Sequence, residues 1–227
     1  MQITYYGHAC FGVEINGQQL LFDPFISPNP LAKSIDVKSI KADFILVTHG
    51  HFDHLADAVA ISAQTGAMVI SNFEVAEWLQ KQGVVSTHGL NPGGKWNFPF
   101  GSVRCVAAVH SSSMPDGSYG GNPVGFVVES ENSSFYYSGD TALTMDMQLI
   151  PMLCKPLNLA IFPIGGNYTM DAHDAVIASN FVACNRVLGV HYDTFEVIKL
   201  NKLDATNLFA EKGKELTLLN IGETKTF

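Results

Sequence analysis

Phe44-Ile45-Leu46-Val47-Thr48-His49-Gly50-His51-Phe52-Asp53-His54 is the stretch whose reading decides the fold. Its first four residues form a short apolar run, the pattern of a buried strand. Asp53-His54-Leu55-Ala56-Asp57-Ala58-Val59-Ala60 reads as a helix, with Asp53 as N-cap. Between the two, His49, His51, Asp53 and His54 crowd into one loop. Such a set is too polar for a core and sits where rigid elements on both sides hold functional groups.

Neutral imidazole and carboxylate are ligands for zinc and neighbouring transition metals. Gly50 between His49 and His51 allows a tight turn that brings two rings to one ion. Asp53 and His54 are adjacent and suit a second ion nearby. In H-E-x-x-H, by contrast, one helical face presents two rings to a single metal.

Thr48-His49-Gly50-His51-Phe52-Asp53-His54 resembles the H-x-H-x-D-H signature of the metallo-β-lactamase superfamily. Candidates for that family's remaining ligands follow in order: His110 after Val103 to Val109, Asp140 in Ser138-Gly139-Asp140-Thr141, and His191 after Val187 to Val190. Tyr6-Gly7-His8-Ala9, Asp23-Pro24, Thr169-Met170 and His191-Tyr192 extend the resemblance over the whole chain. It is nearest to small metal-dependent hydrolases of unassigned substrate, relatives of the ascorbate-6-phosphate lactonase branch. The resemblance implies an α/β fold, a four-layer αββα sandwich with the metals where two sheets meet. It also implies that His49, His51 and His110 hold one ion, that Asp53, His54 and His191 hold a second, and that Asp140 bridges them.

The chain has 227 residues, of which 47% are hydrophobic and 15% charged, enough for one domain over 1–227 with a sizeable core. Net charge is −8 without clustered Lys or Arg, which argues against a nucleic-acid or acidic-membrane footprint. No apolar run is long enough for a bilayer, and Met1-Gln2-Ile3-Thr4-Tyr5 lacks a signal layout, so the cytoplasm is expected. Cys10, Cys105, Cys154 and Cys184 are scattered and read as free thiols without a nucleophilic role.

Strands are expected over 2–6, 11–15 and 19–22, with Asn16-Gly17 as a hairpin turn. Pro24, Pro28 and Pro30 mark a surface excursion up to the histidine loop. A helix to about Gln64, capped by Gly66, a strand over 67–71, a helix over 73–82 and a turn at Asn91-Pro92-Gly93-Gly94 complete the first half. The second half repeats the first in kind. Its strands are expected over 103–109, 124–129, 134–137, 159–163, 187–190 and 216–221, and its helices over 145–154, 172–183 and 204–212. Strand meanders followed by alternating strands and helices suggest two sheets face to face with helices outside.

Two ions sharing one water would lower its pKa toward neutrality and give a metal-bound hydroxide. The expected activity is therefore a dinuclear hydrolase acting on a small ester, lactone or phosphoester. A phosphodiesterase or nuclease-like hydrolase is the alternative; a redox or scaffold protein is a weaker one. Zinc suits the imidazole-rich set, while Mn or Fe also fit mixed N/O ligands. The expected partner is a small-molecule substrate, and a homo-oligomer is allowed.

Asp23 ends an apolar strand, where it would orient a ligand imidazole or else serve the turn before Pro24. Asp53 and His8 are the candidate catalytic groups, His8 either lining the substrate mouth or bonding to backbone. Gly165 to Met170 could bring Tyr168 to the metals or form a plain turn, and Ser111-Ser112-Ser113 opens a loop beside His110. His88 and His173 are read as surface residues.

Overall fold

Side chains alternate between buried and open along β1 (Gln2–Gly7) and β2 (Cys10–Ile15), the period-two signature of strands with one face on a core. Asn16 and Gly17 turn the chain into β3 (Gln18–Phe22) with φ of 50° and 73°, the geometry that matches strand twist in a two-residue hairpin. The computed structural model describes residues 1–227 and assembles two seven-stranded sheets.

In the first sheet, the antiparallel β1-β2-β3 meander is extended in parallel by β4 (Phe44–Leu46), β5 (Met68–Asn72) and β6 (Thr87–Leu90). The helices α1 (Phe52–Leu55), α2 (Ala58–Thr65) and α3 (Phe73–Lys81) lie in the connections. The second sheet repeats the plan. β7 (Lys95–Phe98), β8 (Gly101–Ala107), β9 (Val124–Glu129) and β10 (Ser134–Tyr137) run antiparallel. β11 (Leu159–Pro163), β12 (Arg186–Val190) and β13 (Glu215–Thr217) then add in parallel. α4 (Ile150–Leu153), α5 (Ala172–Phe181) and α6 (Lys202–Glu211) accompany them. β14 (Thr224–Thr226) leaves this half and pairs antiparallel with β1.

One apolar cluster of 24 residues fills the space between the sheets. Phe11 and Phe22 stack there at 4.7 Å, and Phe22 meets Phe135 of the second sheet edge-on at 5.7 Å. Two outer clusters, of 17 and 16 residues, bury the far face of each sheet under its helices. The result is the expected αββα layering. No helix is long and apolar enough to cross a membrane.

Several boundaries differ from expectation for identifiable reasons. His51, not Asp53, is the N-cap of α1, and Asp53 lies in the first turn. The single helix expected to Gln64 is two, α1 and α2. At the break, the Asp57 carboxylate accepts the amides of Ile26 (2.6 Å) and Ser27 (2.9 Å), and the Asp57 amide donates to Pro24 O. The helix expected over 145–154 is a 3-10 turn, Met145–Leu149, followed by α4. β6, β7 and β14 are additional strands, and the strand expected over 216–221 is the shorter β13. His88 sits in β6 and is half-buried, tilted against Trp96 and edge-on to Phe98, rather than free on the surface. His173 is exposed.

Candidate metal centre

Every proposed ligand stands in a segment that follows a strand. The Thr48–His54 loop follows β4, His110 follows β8, Asp140 follows β10 and His191 follows β12. His8 occupies the β1–β2 turn. Three polar residues here have left-handed backbone: His8 (φ 56°), Asp23 (φ 42°) and His191 (φ 56°). That conformation costs a non-glycine residue roughly 1–2 kcal/mol. Such strain persists where the surroundings over-determine it. His8 O, for instance, accepts from the His191 amide (2.8 Å) and the Tyr5 hydroxyl (2.9 Å).

Asp23, fully buried, organises one side. Its Oδ1 accepts the Thr48 amide (2.8 Å). Its Oδ2 accepts the hydroxyls of Thr48 (2.8 Å) and Tyr137 (2.6 Å) and the Nδ1–H of His54 (2.8 Å). Because the Thr48 proton goes to Asp23, its Oγ1 is an acceptor for His49 Nδ1–H at 2.9 Å. Both rings therefore carry the proton on Nδ1 and present an Nε2 lone pair. Burial, reinforced by the Asp23 charge, pushes the Tyr137 phenol up and keeps it a donor. Gly50 has no positive φ; its role is space, since a Cβ would lie 2.5 Å from Met114 Sδ and 3.1 Å from Ser113 O.

Three overlapping ligand groups result. His49, His51 and His110 form one, His8, Asp53, His54 and His191 a second, and His49, His54 and Asp140 a third, each with one donor atom from every residue inside a 4.8 Å span. Asp140 Oδ2 lies 3.3 Å from His54 Nε2, 3.0 Å from His191 Nε2 and 3.7 Å from His110 Nε2. Donors around a tetrahedral ion with ~2.0 Å bonds stand about 3.3 Å apart, so these separations are ligand-to-ligand distances. His54 Nε2 and Asp140 Oδ1 are buried and have no hydrogen-bond partner. Orphaned polar atoms at this depth are costly unless a further group satisfies them, so the donor set fits divalent metal.

The electrostatics agree. Burial alone would lower the His54 imidazole, but Asp140, Asp23 and Asp53 overcome it and raise it well above its usual value. Burial would likewise raise Asp140, yet His191 and His54 hold it well below the carboxylate range. Burial, followed by the His54 charge, lowers His49. The surroundings of His54 are thus anionic and favour a cation.

His8 is buried and 1% exposed, so it neither opens onto the substrate mouth nor bonds to backbone through its ring. Its Nδ1 meets Thr194 Oγ1 (2.9 Å) and its Nε2 meets Asp53 Oδ2 (3.0 Å). Burial and the neighbouring His191 lower it to about 4, which keeps the ring neutral. An open cavity of about 340 Å³ is walled by five of the ligand candidates together with Ser111 and Tyr168. Ser111 Oγ stands 3.3 Å from His51 Nε2. All seven expected ligands and His8 thus meet at one place. Thr48, Thr194 and Tyr137 were missed as supports; only Thr48, beside the motif, carried a local signal. The four cysteines are free, and burial raises the thiols of Cys10, Cys105, Cys154 and Cys184.

Comparison with known proteins agrees with this geometry. The family described as Beta-lactamase superfamily domain matches residues 18–192. A UPF0173 metal-dependent hydrolase of Flavobacterium johnsoniae is 51% identical over 224 residues, 99% of each chain. One from Thermoplasma volcanium is 42% identical over 223 residues, 98% of this chain and 97% of the relative. Among solved structures, Igni18, a metallo hydrolase from Ignicoccus hospitalis, is 33% identical with a TM-score of 0.89, covering 100% of this chain and 97% of that one. An isothiocyanate hydrolase from Delia radicum gut bacteria shares the fold, with a TM-score of 0.80 at 17% identity and coverage of 100% and 99%.

Proposed function

This chain belongs to the UPF0173 metal-dependent hydrolases of the β-lactamase superfamily, and we propose that it hydrolyses a small ester, lactone or phosphoester at a two-ion centre. The observation that carries the reading is the pair of orphaned atoms, His54 Nε2 and Asp140 Oδ1, between two converging imidazole groups. His49, His51 and His110 would hold one ion and Asp53, His54 and His191 the other, with Asp140, close to His54, His191 and His110, available to both. Metal bound there would supply an activated water at neutral pH and polarise the scissile group. Zinc is the first choice for an imidazole-rich set, with Mn or Fe as alternatives.

The protein's own groups fix this geometry. Asp23 and Thr48 lock the tautomers of His54 and His49. Thr194 and His8 form a chain that aims Asp53, so His8 acts as a positioning residue. Asp53 keeps 26% of its side chain exposed and faces the cavity, where it can accept a hydrogen bond from the attacking water. Tyr168 and Ser111 border the entrance. The cavity lies in the usual size range for a small molecule, ~300–1,000 Å³.

Elemental analysis and hydrolysis assays on metal-reconstituted protein test the reading. Two ions per chain and turnover lost on chelation and restored by metal are expected. A protein that saturates at one ion would refute the two-ion centre.

A further inference from the structure

The β8–β9 connection belongs to the second half of the chain, yet it is fastened to the first. Met114, 2% exposed, leaves its own sheet and joins the apolar cluster under the first sheet's helices. Asn72, fully buried at the end of β5, donates to Gly120 O (2.8 Å) and Asn122 O (2.9 Å). On the outer side, Trp78 Nε1 donates to Asp116 Oδ2 at 2.7 Å. Few buried contacts mark a mobile segment. This one has an apolar plug and hydrogen bonds on two sides, so it holds its groups at fixed positions.

Its first two serines reach the His49–His51 turn. The Ser112 hydroxyl donates to Gly120 O (2.7 Å), which leaves its oxygen free to accept the Gly50 amide (3.1 Å). Gly50 lies between two candidate ligands, so this bond ties their backbone to the segment that begins with His110. His49 Nε2 and His51 Nδ1 stand 3.0 Å apart, a ligand-to-ligand distance. With Nδ1 of His51 turned to an ion, its ring proton resides on Nε2, and Ser111 Oγ at 3.3 Å is the acceptor for it.

We propose that Ser111 and Ser112 are positioning residues of the His49–His51–His110 group, Ser112 by fixing the histidine turn against His110 and Ser111 by orienting the His51 ring. The proposal rests on the metal-centre reading and adds the groups that set one half of it. Asp23 and Thr48 orient ligands from inside the fold, whereas these serines act from the loop beside His110.

Stepwise titration of apo protein with Co²⁺, followed by absorbance, tests this on Ser111→Ala, Ser112→Ala and Ser113→Ala. The hydrogen bonds to His51 and Gly50 come from Ser111 and Ser112, so Ser113→Ala is the control. Deleting an orienting partner weakens metal binding roughly 10- to 100-fold. Ser112→Ala is expected within that range, and Ser111→Ala, whose bond is longer and exposed, at about tenfold, both for one ion only. Ser111→Thr, which keeps the hydroxyl, should bind as wild type does. Imidazole nitrogen NMR spectra of the Zn²⁺-loaded wild type should show His51 coordinated through Nδ1 and protonated on Nε2. Wild-type affinity in both alanine variants, an equal loss in Ser113→Ala, equal weakening of both ions, or His51 coordinated through Nε2 would overturn the proposal. A wild type that takes up a single ion, with affinity lowered in Ser111→Ala and Ser112→Ala, would refute the two-ion centre and still support the serines' role.

Discussion

The main-chain amide of His191 donates to the carbonyl oxygen of His8 at 2.8 Å, tying the turn after β1 to the segment after β12. Their rings lie 4.0 Å apart between centroids, and both residues have left-handed backbone. The two sheets are thus joined by hydrogen bonding directly beneath the candidate centre, before any ion is considered.

His8→Ala removes the group that aims Asp53. The expected result is a 10- to 100-fold loss of affinity for the second ion, the usual effect of deleting an orienting partner. The first ion should stay. Titration of apo protein with Co²⁺, followed by absorbance, separates the two steps; unchanged binding at both would deny His8 this role.

Tyr137→Phe deletes the 2.6 Å hydrogen bond to Asp23, one of four that hold this buried carboxylate. A stability loss of ~1.5–3 kcal/mol is expected, the range for bonds to charged groups. Urea denaturation of the apo protein measures it without interference from metal. A midpoint equal to wild type would show that Asp23 is held adequately without the phenol.

Gly139→Ala should be more damaging than its size suggests. Gly139 has φ of 61°, and an added Cβ would lie 2.8 Å from Thr48 Cβ and from Val124 O. Thr48 and Asp140 flank that position, so reduced metal content should accompany a loss exceeding ~1 kcal/mol. A variant with normal metal content and normal melting would contradict this packing.

Glu129 provides a pH dependence remote from the centre. Burial would raise its pKa, but the Lys155 amide (2.7 Å) and the Lys95 ammonium (2.7 Å) outweigh burial and lower it. A carboxyl lowered in the folded state adds stability above its unfolded pKa, ~4.3. That contribution disappears as pH falls through the folded value. Melting temperature should therefore drop more steeply below pH ~4 in wild type than in Glu129→Gln. Parallel curves would remove Glu129 from the acid response.

The candidate ligand set was legible because four of its members lie within six residues and the others each follow an apolar run with strand character. Supports were legible only where they lay beside a motif. Asp23 betrayed itself as a carboxylate ending an apolar strand, whereas Tyr137 reaches it across 114 positions. Thr194 meets His8 across 186. The break between α1 and α2 was hidden for the same reason, since the amides that capture Asp57 lie 31 and 30 positions away. β7 reads weakly because Lys95, Trp96 and Asn97 are all exposed, so no buried face imposes alternation.

The turn at Asn91-Pro92-Gly93-Gly94 falls between β6 and β7, where one sheet's plan ends and the other's begins. A chain nicked there would become two fragments, one with His8, His49, His51, Asp53 and His54, the other with His110, Asp140 and His191. The second fragment would also carry β14, the partner of β1. Neither piece could satisfy its own donors, and each would expose half of the interior. Rejoining the halves would bury that interior again, and divalent metal, held by donors from both pieces, would add to the drive without being needed to start it.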